Sequence, residues 1–301
     1  MAASSSSSSS DVSIMMNGLP GAMGREIAAA ALRRGVRLAP FALTGPGFGG
    51  EVCVDDARGG APVAVRLYEP AERAALAARA AAEFPRPGSL VAVDFTHPSA
   101  VNENAAWYAA QRLPFVMGTT GGDRAALLRD AAAAGAYAVV APNMCKQIVA
   151  LQAALAQMAA DFPGSFAGYA LRVVESHQST KADTSGTAKA VSDSLAALCG
   201  APFAHDSIER VREPAAQLAG GGAAHEGVSP VPAAALDGHA FHTYSLKADG
   251  VEFQIRHNVS GRATYAEGTI DAVRFLASRV AAGSEQRLFS MIDVLKAGGL
   301  S

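Results

Sequence analysis

A sixteen-residue stretch, V-V-E-S-H-Q-S-T-K-A-D-T-S-G-T-A from Val173 to Ala188, concentrates side chains that can carry chemistry. His177 and Lys181 are four residues apart, so on a helix or a tight turn they could share one face. Glu175 and Asp183 flank them. An imidazole exchanges protons near neutral pH, and an ammonium group attracts anions. These residue types therefore indicate proton transfer beside an anionic ligand.

The end of this stretch, Ser185-Gly186-Thr187, precedes an alanine-rich helical pattern. The N–H groups and the dipole at the start of a helix favour a bound anion. Each residue also has an ordinary explanation, because Ser and Thr at a helix start are usually caps and a lone His or Lys in a loop is usually solvated. From these residues alone, the catalytic and the structural interpretations both stay open.

The chain before this stretch alternates between predicted strands and helices, as βαβ units of a parallel sheet do. Short apolar runs predict strands at 12–16, 36–43, 90–95, 114–117 and 137–140, and helical patterns cover 25–34, 72–83, 99–111 and 123–134.

After Asn143 the pattern changes. Helices are predicted at 148–160, 188–198, 268–277 and 289–295, strands at 171–174, 207–212, 241–246 and 251–259, and a long loop at 214–238. The last two strands are joined by Ala248-Asp249-Gly250, which is a hairpin signal. Apolar residues alternate along 251–259, which predicts one buried face, against helices or a partner subunit.

The fold class predicted from this order of elements is α/β. We expect a Rossmann-type dinucleotide-binding domain over 11–143, rejoined by C-terminal helices within 262–301. An α+β substrate-binding and oligomerisation domain with a mixed or open sheet is expected over 144–261. The serine-rich segment 1–10 cannot bury apolar surface and is expected to be a disordered tail.

A glycine-rich loop, N-G-L-P-G-A-M-G-R, lies between the first strand and the first helix. Gly18, Gly21 and Gly24 would allow the tight turn and the close backbone approach that a pyrophosphate at a helix N-terminus needs. The other interpretation is an ordinary strand-to-helix turn. The position at the start of a βα series favours dinucleotide binding.

NAD-selective proteins have an acidic residue about 20 residues after the glycine-rich loop, where it holds the ribose 2′-hydroxyl. This chain has no acidic residue at that position. The residues there are Ala42-Leu43-Thr44-Gly45. Thr44 could donate to a 2′-phosphate, and Arg25 could reach it. We therefore expect NADPH, with NADH possible.

Polar steps end two more predicted strands, Asp94-Phe95-Thr96-His97 and Gly118-Thr119-Thr120-Gly121. Ligands of open parallel sheets bind at the carboxyl ends of the strands. Phe95 is therefore a cofactor-binding candidate, and the steps together predict a nicotinamide and substrate cleft, although helix capping would explain some of these residues.

The composition excludes several classes of function. The net charge is −2, with 25 basic and 27 acidic residues, which gives no signature of nucleic-acid or anionic-membrane binding. The three cysteines form no C-x-x-C, and the histidines show no metal-ligand spacing, so we expect neither a disulfide framework nor a metal site. No apolar run predicts a membrane span.

The segment E-S-H-Q-S-T-K-A-D-T-S-G-T-A resembles the signature of dihydrodipicolinate reductases, whose bacterial pattern is close to E-x-H-H-x-x-K-x-D-A-P-S-G-T-A. The chain is similar to the plant type, because Gln178 replaces the second histidine and the stretch before Ser185 is one residue shorter. The resemblance covers nearly the whole chain, through N-G-x-x-G-x-M-G-R, D-F-T-H-P, V-M-G-T-T-G, A-P-N-M-C-K-Q, H-N-V-S-G-R-A-T-Y-A-E-G-T and M-I-D-V-L.

The resemblance implies a role for each matching position. His177 would be the proton donor, and Lys181 would stabilise the nitrogen side and the charge of the substrate. The substrate carboxylates would be held by Ser185, Gly186, Thr187 and Arg262, with Gln178 able to hydrogen-bond there without a charge. The cofactor phosphates would be held by Gly18, Gly21, Met23, Gly24 and Arg25, and the nicotinamide side would be lined by Gly118, Thr120, Ala141 and Met144.

The activity implied by the resemblance is the NAD(P)H-dependent reduction of a cyclic dicarboxylate in lysine and diaminopimelate biosynthesis, in a plastid homo-oligomer, either dimer or tetramer. Two alternatives are weighed against it. An inactive nucleotide-binding homologue acting as a scaffold would show a damaged His-Lys-Ser-Gly-Thr set, which is intact here. A related dehydrogenase of an amino acid or semialdehyde would lack the S-G-T step.

Overall fold

The computed structural model describes residues 12–55, 60–222, 225 and 227–298. These residues form two compact units, 12–146 with 265–298 (the first unit) and 147–264 (the second unit). The predicted tail at 1–10 lies outside the described residues.

The strands of the first unit are short and mostly buried. Numbered in chain order, they are Ser13–Asn17 (β1), Arg37–Leu38 (β2), Phe41–Leu43 (β3), Gly50–Val54 (β4), Val63–Tyr68 (β5), Leu90–Asp94 (β6), Phe115–Met117 (β7), Ala138–Val140 (β8) and Leu288–Phe289 (β13). Six of them form one sheet in the order β13-β8-β7-β6-β1-β2, and every neighbouring pair is parallel.

The first unit also contains helices that lie between these strands along the chain or after them. They are Ala22–Arg33 (α1), Arg73–Glu83 (α2), Val101–Ala110 (α3), Arg124–Ala133 (α4), Ala263–Ala281 (α8) and Met291–Lys296 (α9). Asp123 caps α4 by accepting a hydrogen bond from the N–H of Ala126 at 2.9 Å. The alternation of buried parallel strands with helices confirms the predicted α/β class.

The predicted strand at 36–43 is divided by Pro40, which has no N–H to give to a sheet. β2 pairs with β1 in the six-stranded sheet, whereas β3 pairs with β5 in a separate sheet of order β3-β5-β4. The sequence analysis did not predict β4 and β5. β4 is mostly exposed, and exposed residues alternate with buried ones in β5, where Arg66 interrupts the apolar run.

The C-terminal segment completes the first unit. β13 pairs with β8, and Asp271 on α8 is buried between the cations of Arg34 and Lys146. Gly268 on the same helix lies so close to the Met144 carbonyl oxygen that an added Cβ would be 1.8 Å from it. α8 is therefore an integral part of this unit.

The second unit is a four-stranded mixed sheet with helices on it. Its strands are Ala170–His177 (β9), Glu209–Val211 (β10), His239–Ala248 (β11) and Val251–Ser260 (β12), in the order β10-β9-β11-β12. Its helices are Lys146–Asp161 (α5), Gly186–Cys199 (α6) and Pro214–Leu218 (α7), the last within the predicted loop. β10 is parallel to β9, and the other pairs are antiparallel, which confirms the predicted mixed sheet.

A hydrophobic core joins α5 and α6 to one face of this sheet. It contains Leu155, Ala159, Val173, Ala188, Val191, Leu195, Leu198, Cys199, Ile208, Tyr244 and Leu246. Gly200, at φ 63°, ends α6 in the left-handed conformation that favours glycine. This packing fixes the end of β9 and the start of α6, which carry the motif.

The edge strand β12 differs in part from the expectation. Ile255 and Val259 are half-buried, as an apolar face should be, but Val251 and Phe253 are 44% and 50% exposed. The predicted buried face is therefore only partly covered within a single chain.

Among the described residues, no helix combines the length and the apolar character that crossing a bilayer requires.

Candidate functional site

The motif begins inside a strand. β9 continues to His177, beyond the predicted end at residue 174, so Glu175, Ser176 and His177 are buried strand residues. His177 pairs with Ala240 on β11. The imidazole is therefore held by two strands of the sheet.

Lys181 and Gln178 lie in a tight turn after this strand, where the Lys181 N–H donates to the Gln178 carbonyl at 3.0 Å. The Lys181 ammonium donates to Asp183 at 2.6 Å, and this hydrogen bond lowers the pKa of Asp183. His177 and Lys181 therefore do not share a helix face. Their proximity arises from the turn, which brings the lysine charge close enough to affect the histidine.

Glu175 joins the strand to the helix that follows it. Its carboxylate is fully buried, accepts a hydrogen bond from the Ser185 N–H at 2.9 Å and forms an ion pair with Arg212. Arg212 also donates to the Lys181 carbonyl at 2.9 Å and to the Asp183 carbonyl at 3.3 Å. One guanidinium thus fixes both the acid and the backbone of the turn.

The N-terminus of α6 carries the predicted anion-binding residues. Ser185 is the N-cap residue, yet its side chain makes no capping hydrogen bond. An added Cβ at Gly186 would meet nothing within 4 Å, so the approach to this residue is open. With Thr187 in the first turn, the geometry suits a carboxylate better than a self-capped helix.

Arg262 lies at the same end of the sheet as His177. Its guanidinium is close to Gly238, where an added Cβ would be 3.2 Å from Arg262 Nη1. Gly238 also accepts a hydrogen bond from the Gly261 N–H at 2.6 Å, directly before the start of β11. The second unit therefore brings the predicted proton donor and substrate-binding residues to one edge.

The surroundings of His177 change its acidity. Burial, followed by the charges of Arg212, Lys181 and His239, lowers the pKa of His177 to about 3, against a backbone hydrogen bond with His239 that raises it. The near-neutral pKa expected from the sequence is therefore wrong for this state of the protein. The cause is burial at the end of a strand among cations.

His242 on β11 is a further site residue that the sequence analysis missed. Its Nε2 lies 3.3 Å from Nε2 of His177, and it is only 2% exposed. Burial, then His257 and His177, lowers its pKa well below the ordinary value. Ligand-type atoms of Glu175, His177 and His242 lie within 4.8 Å of one another. Because Arg212 already neutralises Glu175, this grouping is better suited to exchanging a proton than to holding a cation.

Arg212 and Gln217 were also missed. Gln217 is 1% exposed and donates through Nε2 to the His177 carbonyl at 2.6 Å. Both residues lie 35 or more positions from His177 in a segment interpreted as strand end and loop. The one signal in the sequence is that an Arg and a Gln lie near the end of a predicted strand. This combination is too common to identify them as hydrogen-bond partners of the motif.

In the first unit, the glycine loop packs closely against the backbone around it. An added Cβ would lie 2.2 Å from the Phe95 oxygen at Gly18, and 2.8 Å and 3.0 Å from the Gly18 oxygen at Gly21 and Gly24. Gly18 also has φ +99°, which favours glycine. α1 begins just beyond this loop without a side-chain cap, with Met23 in its first turn. A cradle of this kind fits a dinucleotide pyrophosphate.

The remaining cofactor candidates follow adjacent strand ends. Gly18, Phe95, Gly118 and Ala141 come directly after β1, β6, β7 and β8. The Phe95 ring occupies the space beside Gly118, where an added Cβ would be 2.1 Å from Phe95 Cζ. A cavity of about 200 Å³ is lined by Met117, Thr119, Thr120, Gly121, Arg124 and Ala141, among others. Met144 follows Ala141 along the chain in the first unit, and its carbonyl oxygen lies against Gly268.

Asp94, in one of the predicted polar steps, is directed into the interior of the first unit. Its buried carboxylate accepts hydrogen bonds from the hydroxyls of Tyr108 at 2.6 Å and Thr119 at 2.7 Å, and from Asn104 at 2.9 Å. Burial and Asp94 raise the pKa of Tyr108 well above its ordinary value, so the phenol stays a donor. This network fixes the loops that carry Phe95 and Thr120.

Thr44 differs from the expectation. Its hydroxyl is buried and donates to the Leu19 carbonyl at 2.7 Å, so its proton is not directed at a cofactor phosphate. The contact of Thr44 with a 2′-phosphate therefore stays a prediction, and it would require this hydroxyl to leave the Leu19 carbonyl. Arg25 is exposed, and its Nε donates a hydrogen bond to the Pro20 carbonyl at 3.0 Å. The terminal nitrogens of the guanidinium, Nη1 and Nη2, take no part in that hydrogen bond.

Family models match both parts of the chain. The model described as dihydrodipicolinate reductase, N-terminus, matches residues 12–144, and the one described as dihydrodipicolinate reductase, C-terminus, matches residues 148–295.

Plant proteins are similar to this chain over most of its length. The Arabidopsis thaliana proteins named 4-hydroxy-tetrahydrodipicolinate reductase 1, chloroplastic, and 2, chloroplastic, are each 42% identical to this chain over 294 residues. The aligned regions cover 96% of this chain and 79% and 78% of the two relatives.

A solved structure, a dipicolinate-bound dihydrodipicolinate reductase from Paenisporosarcina sp. TG-14, has a TM-score of 0.58 and 20% identity, covering 93% of this chain and 97% of that one. At this identity the likeness concerns the fold alone, and it agrees with the two-unit architecture. The family models and the plant relatives settle the classification: this chain belongs to the dihydrodipicolinate reductase family.

Proposed function

We propose that this protein is a 4-hydroxy-tetrahydrodipicolinate reductase that forms tetrahydrodipicolinate with a hydride from NADPH and a proton from His177, while the 4-hydroxyl group of the substrate is lost as water. In this proposal the first unit acts as the dinucleotide-binding domain and the second as the substrate-binding domain. The substrate is a small cyclic dicarboxylate.

The observation that carries the proposal is the α6 N-terminus, whose N-cap Ser185 makes no side-chain capping bond. A substrate carboxylate would take that place, with N–H donors and the helix dipole opposite its charge. Lys181 and Arg262 would neutralise the dianion, Arg262 through a fork that matches a carboxylate. Gln178 would contribute a neutral hydrogen bond.

The low pKa of His177 is compatible with proton donation once substrate is bound. In the free protein, burial and the cations Arg212 and Lys181 keep the imidazole neutral. A bound dianion places negative charge among the same cations, and nearby negative charge raises the pKa of a histidine. Substrate binding would therefore be accompanied by proton uptake, which prepares His177 for its role.

The reduced nicotinamide supplies the hydride when it is bound. Gly18, Gly21, Met23, Gly24 and Arg25 would hold the phosphates, and Phe95, Gly118, Thr120, Ala141 and Met144 would lie on the nicotinamide side. The absence of an acid at positions 42–45 supports NADPH over NADH, because nothing there repels a 2′-phosphate. Since Thr44 is engaged with Leu19, Arg25 is the better candidate for that phosphate.

We also infer a homo-oligomer located in plastids. The half-exposed Val251 and Phe253 on edge strand β12 support association through the second unit, and the chloroplastic plant relatives support the location. The molecular mass in solution would distinguish a dimer from a tetramer.

The activity is tested by following NADPH absorbance with purified protein while adding the product of a coupled dihydrodipicolinate synthase reaction. Oxidation that requires this product, and that is lost in His177→Ala, is the expected result. NADPH binding without turnover would instead identify a nucleotide-binding scaffold. Turnover with an amino acid or a different semialdehyde, but not with this product, would identify a related dehydrogenase.

A further inference from the structure

We propose that His242 is a positioning residue for His177, and that the hydrogen bond between their Nε2 atoms fixes which nitrogen of His177 carries the proton. This inference rests on the proposed function, in which His177 is the proton donor. It adds a residue from a different strand, 65 positions further along the chain.

The geometry requires the two rings to share one proton. Their Nε2 atoms are 3.3 Å apart, and the ring centroids are 5.0 Å apart with the planes at 76°. Two N–H groups cannot point at each other over that distance, so one Nε2 donates and the other accepts. The tautomers of His177 and His242 are therefore linked.

The other nitrogen of His242 determines the direction of this bond. Nδ1 of His242 is buried and has no hydrogen-bond partner among the residues that the structure describes. A buried N–H without an acceptor is rare and costs free energy, so the proton of His242 lies on Nε2 instead. His242 then donates to His177, and neutral His177 carries its proton on Nδ1.

The surrounding groups hold His242 in place. Its ring lies 4.6 Å from that of His257 on β12 and is stacked with Tyr244 on its own strand at 6.2 Å, between centroids. The other charged or titratable groups around the pair are Glu175 on β9, Lys181 in the turn, Arg212 after β10 and His239 on β11. The Glu175 carboxylate lies farther from His177 Nε2 than His242 does, with Oε2 of Glu175 at 3.9 Å against 3.3 Å for Nε2 of His242.

The bond also affects the charged state. When His177 takes up a second proton, that proton goes to its Nε2, the atom that accepts from the His242 Nε2–H in the neutral state. A hydrogen bond to the neutral form disfavours the charged form and lowers the pKa of His177. Without His242, His177 would be protonated at higher pH, and its ring would be free to adopt the other tautomer.

The test compares His242→Phe and His242→Gln with His205→Gln, which removes an imidazole that is paired with Asp193 outside the His177–His242 pair. We expect His242→Phe to lower kcat by about 10- to 100-fold, within the range of proton-transfer contributions, with KM nearly unchanged. The fall of kcat with rising pH should begin at higher pH in this variant, because the hydrogen bond that favours neutral His177 is lost. His242→Gln, whose amide can donate a hydrogen bond, should recover part of the loss, and His205→Gln should keep the wild-type profile.

A second measurement does not depend on activity. Imidazole ¹⁵N shifts of the histidine-labelled wild-type protein report the protonated nitrogen, with His177 assigned by comparison with His177→Gln. A proton on Nδ1 of His177, lost or redistributed in His242→Phe, is the expected result. A wild-type proton on Nε2, or a His242→Phe enzyme with the wild-type kcat and pH profile, would overturn the inference. Absence of activity in the wild type would contradict the proposed function instead, and the tautomer would still be read.

Discussion

The Glu175 carboxylate accepts a hydrogen bond from the Ser185 N–H at 2.9 Å, which ties the end of β9 to the residue in front of α6. The other oxygen of Glu175 is paired with Arg212. The acid of the motif is therefore a structural connection between the strand that holds His177 and the helix N-terminus proposed to hold a carboxylate.

Replacing Glu175 with Gln should destabilise the protein by about 3 kcal/mol, because Arg212 would lose the charge that compensates it in a largely buried position. The free energy of unfolding from urea denaturation measures this effect. The matched control is Asp183→Asn, since Asp183 is 78% exposed on its side chain and pairs with Lys181 at the surface. That change should cost less than about 1 kcal/mol. Equal losses in both variants would contradict a structural role specific to Glu175.

Replacing His177 with Ala should lower kcat by about 10²- to 10⁴-fold, the usual contribution of a positioned acid. NADPH affinity, measured by cofactor fluorescence, should be unchanged because the glycine loop belongs to the first unit. A variant that loses NADPH binding would argue against the proton-donor role. His205→Gln, a partly exposed histidine paired with Asp193, controls for the loss of an imidazole.

As the pH is lowered, the protein should begin to lose stability at a higher pH than protonation of its carboxylates alone would cause. Burial lowers the pKa of His257 from 6.5 to about 4. Between these values the unfolded chain binds more protons than the folded one, so the free energy of unfolding falls as the pH is lowered through this window. Between pH 7 and 5, the free energy of unfolding of His257→Phe should therefore fall by about 1–2 kcal/mol less than that of the wild type. Parallel stability curves for the two proteins would refute this assignment.

Replacing Gly45 with Asp should shift the cofactor preference toward NADH. Gly45 follows β3 and Thr44, and an added Cβ there would meet only the Phe48 side chain, at 3.7 Å. A carboxylate at this strand end would repel a 2′-phosphate. The ratio of kcat/KM for NADPH and NADH measures the shift, with Gly45→Asn as the uncharged control. If both variants keep the wild-type ratio, the 2′-phosphate is recognised elsewhere.

Much of the fold could be predicted because its strands are apolar and its turns contain glycine. β1, β6, β7 and β8 are buried on both faces and therefore form continuous apolar runs. β4 and β5 could not be predicted in this way, since one is largely exposed and the other alternates. The second apolar run, 36–43, is divided into β2 and β3 at a single proline, Pro40.

The motif residues could be found from their order along the chain, but their partners could not. Arg212, Gln217 and His242 contact Glu175 or His177 across 37 to 65 residues of sequence, and no spacing rule connects them. The acidity of His177 follows from these partners and from burial, so it was predicted wrongly. Thr44 shows the same limit, because its bond to Leu19 depends on how the glycine loop packs.

The six-stranded sheet begins at residue 13 and takes its last strand, β13, from residues 288–289. α8 likewise belongs to that unit, through the ion pairs of Asp271 with Arg34 and Lys146. Because a protein is synthesised from its N-terminus, the ribosome has produced all of 147–264 before these elements emerge. The second unit is continuous in sequence and can complete its fold during translation. The unit whose synthesis starts first is therefore the one completed last.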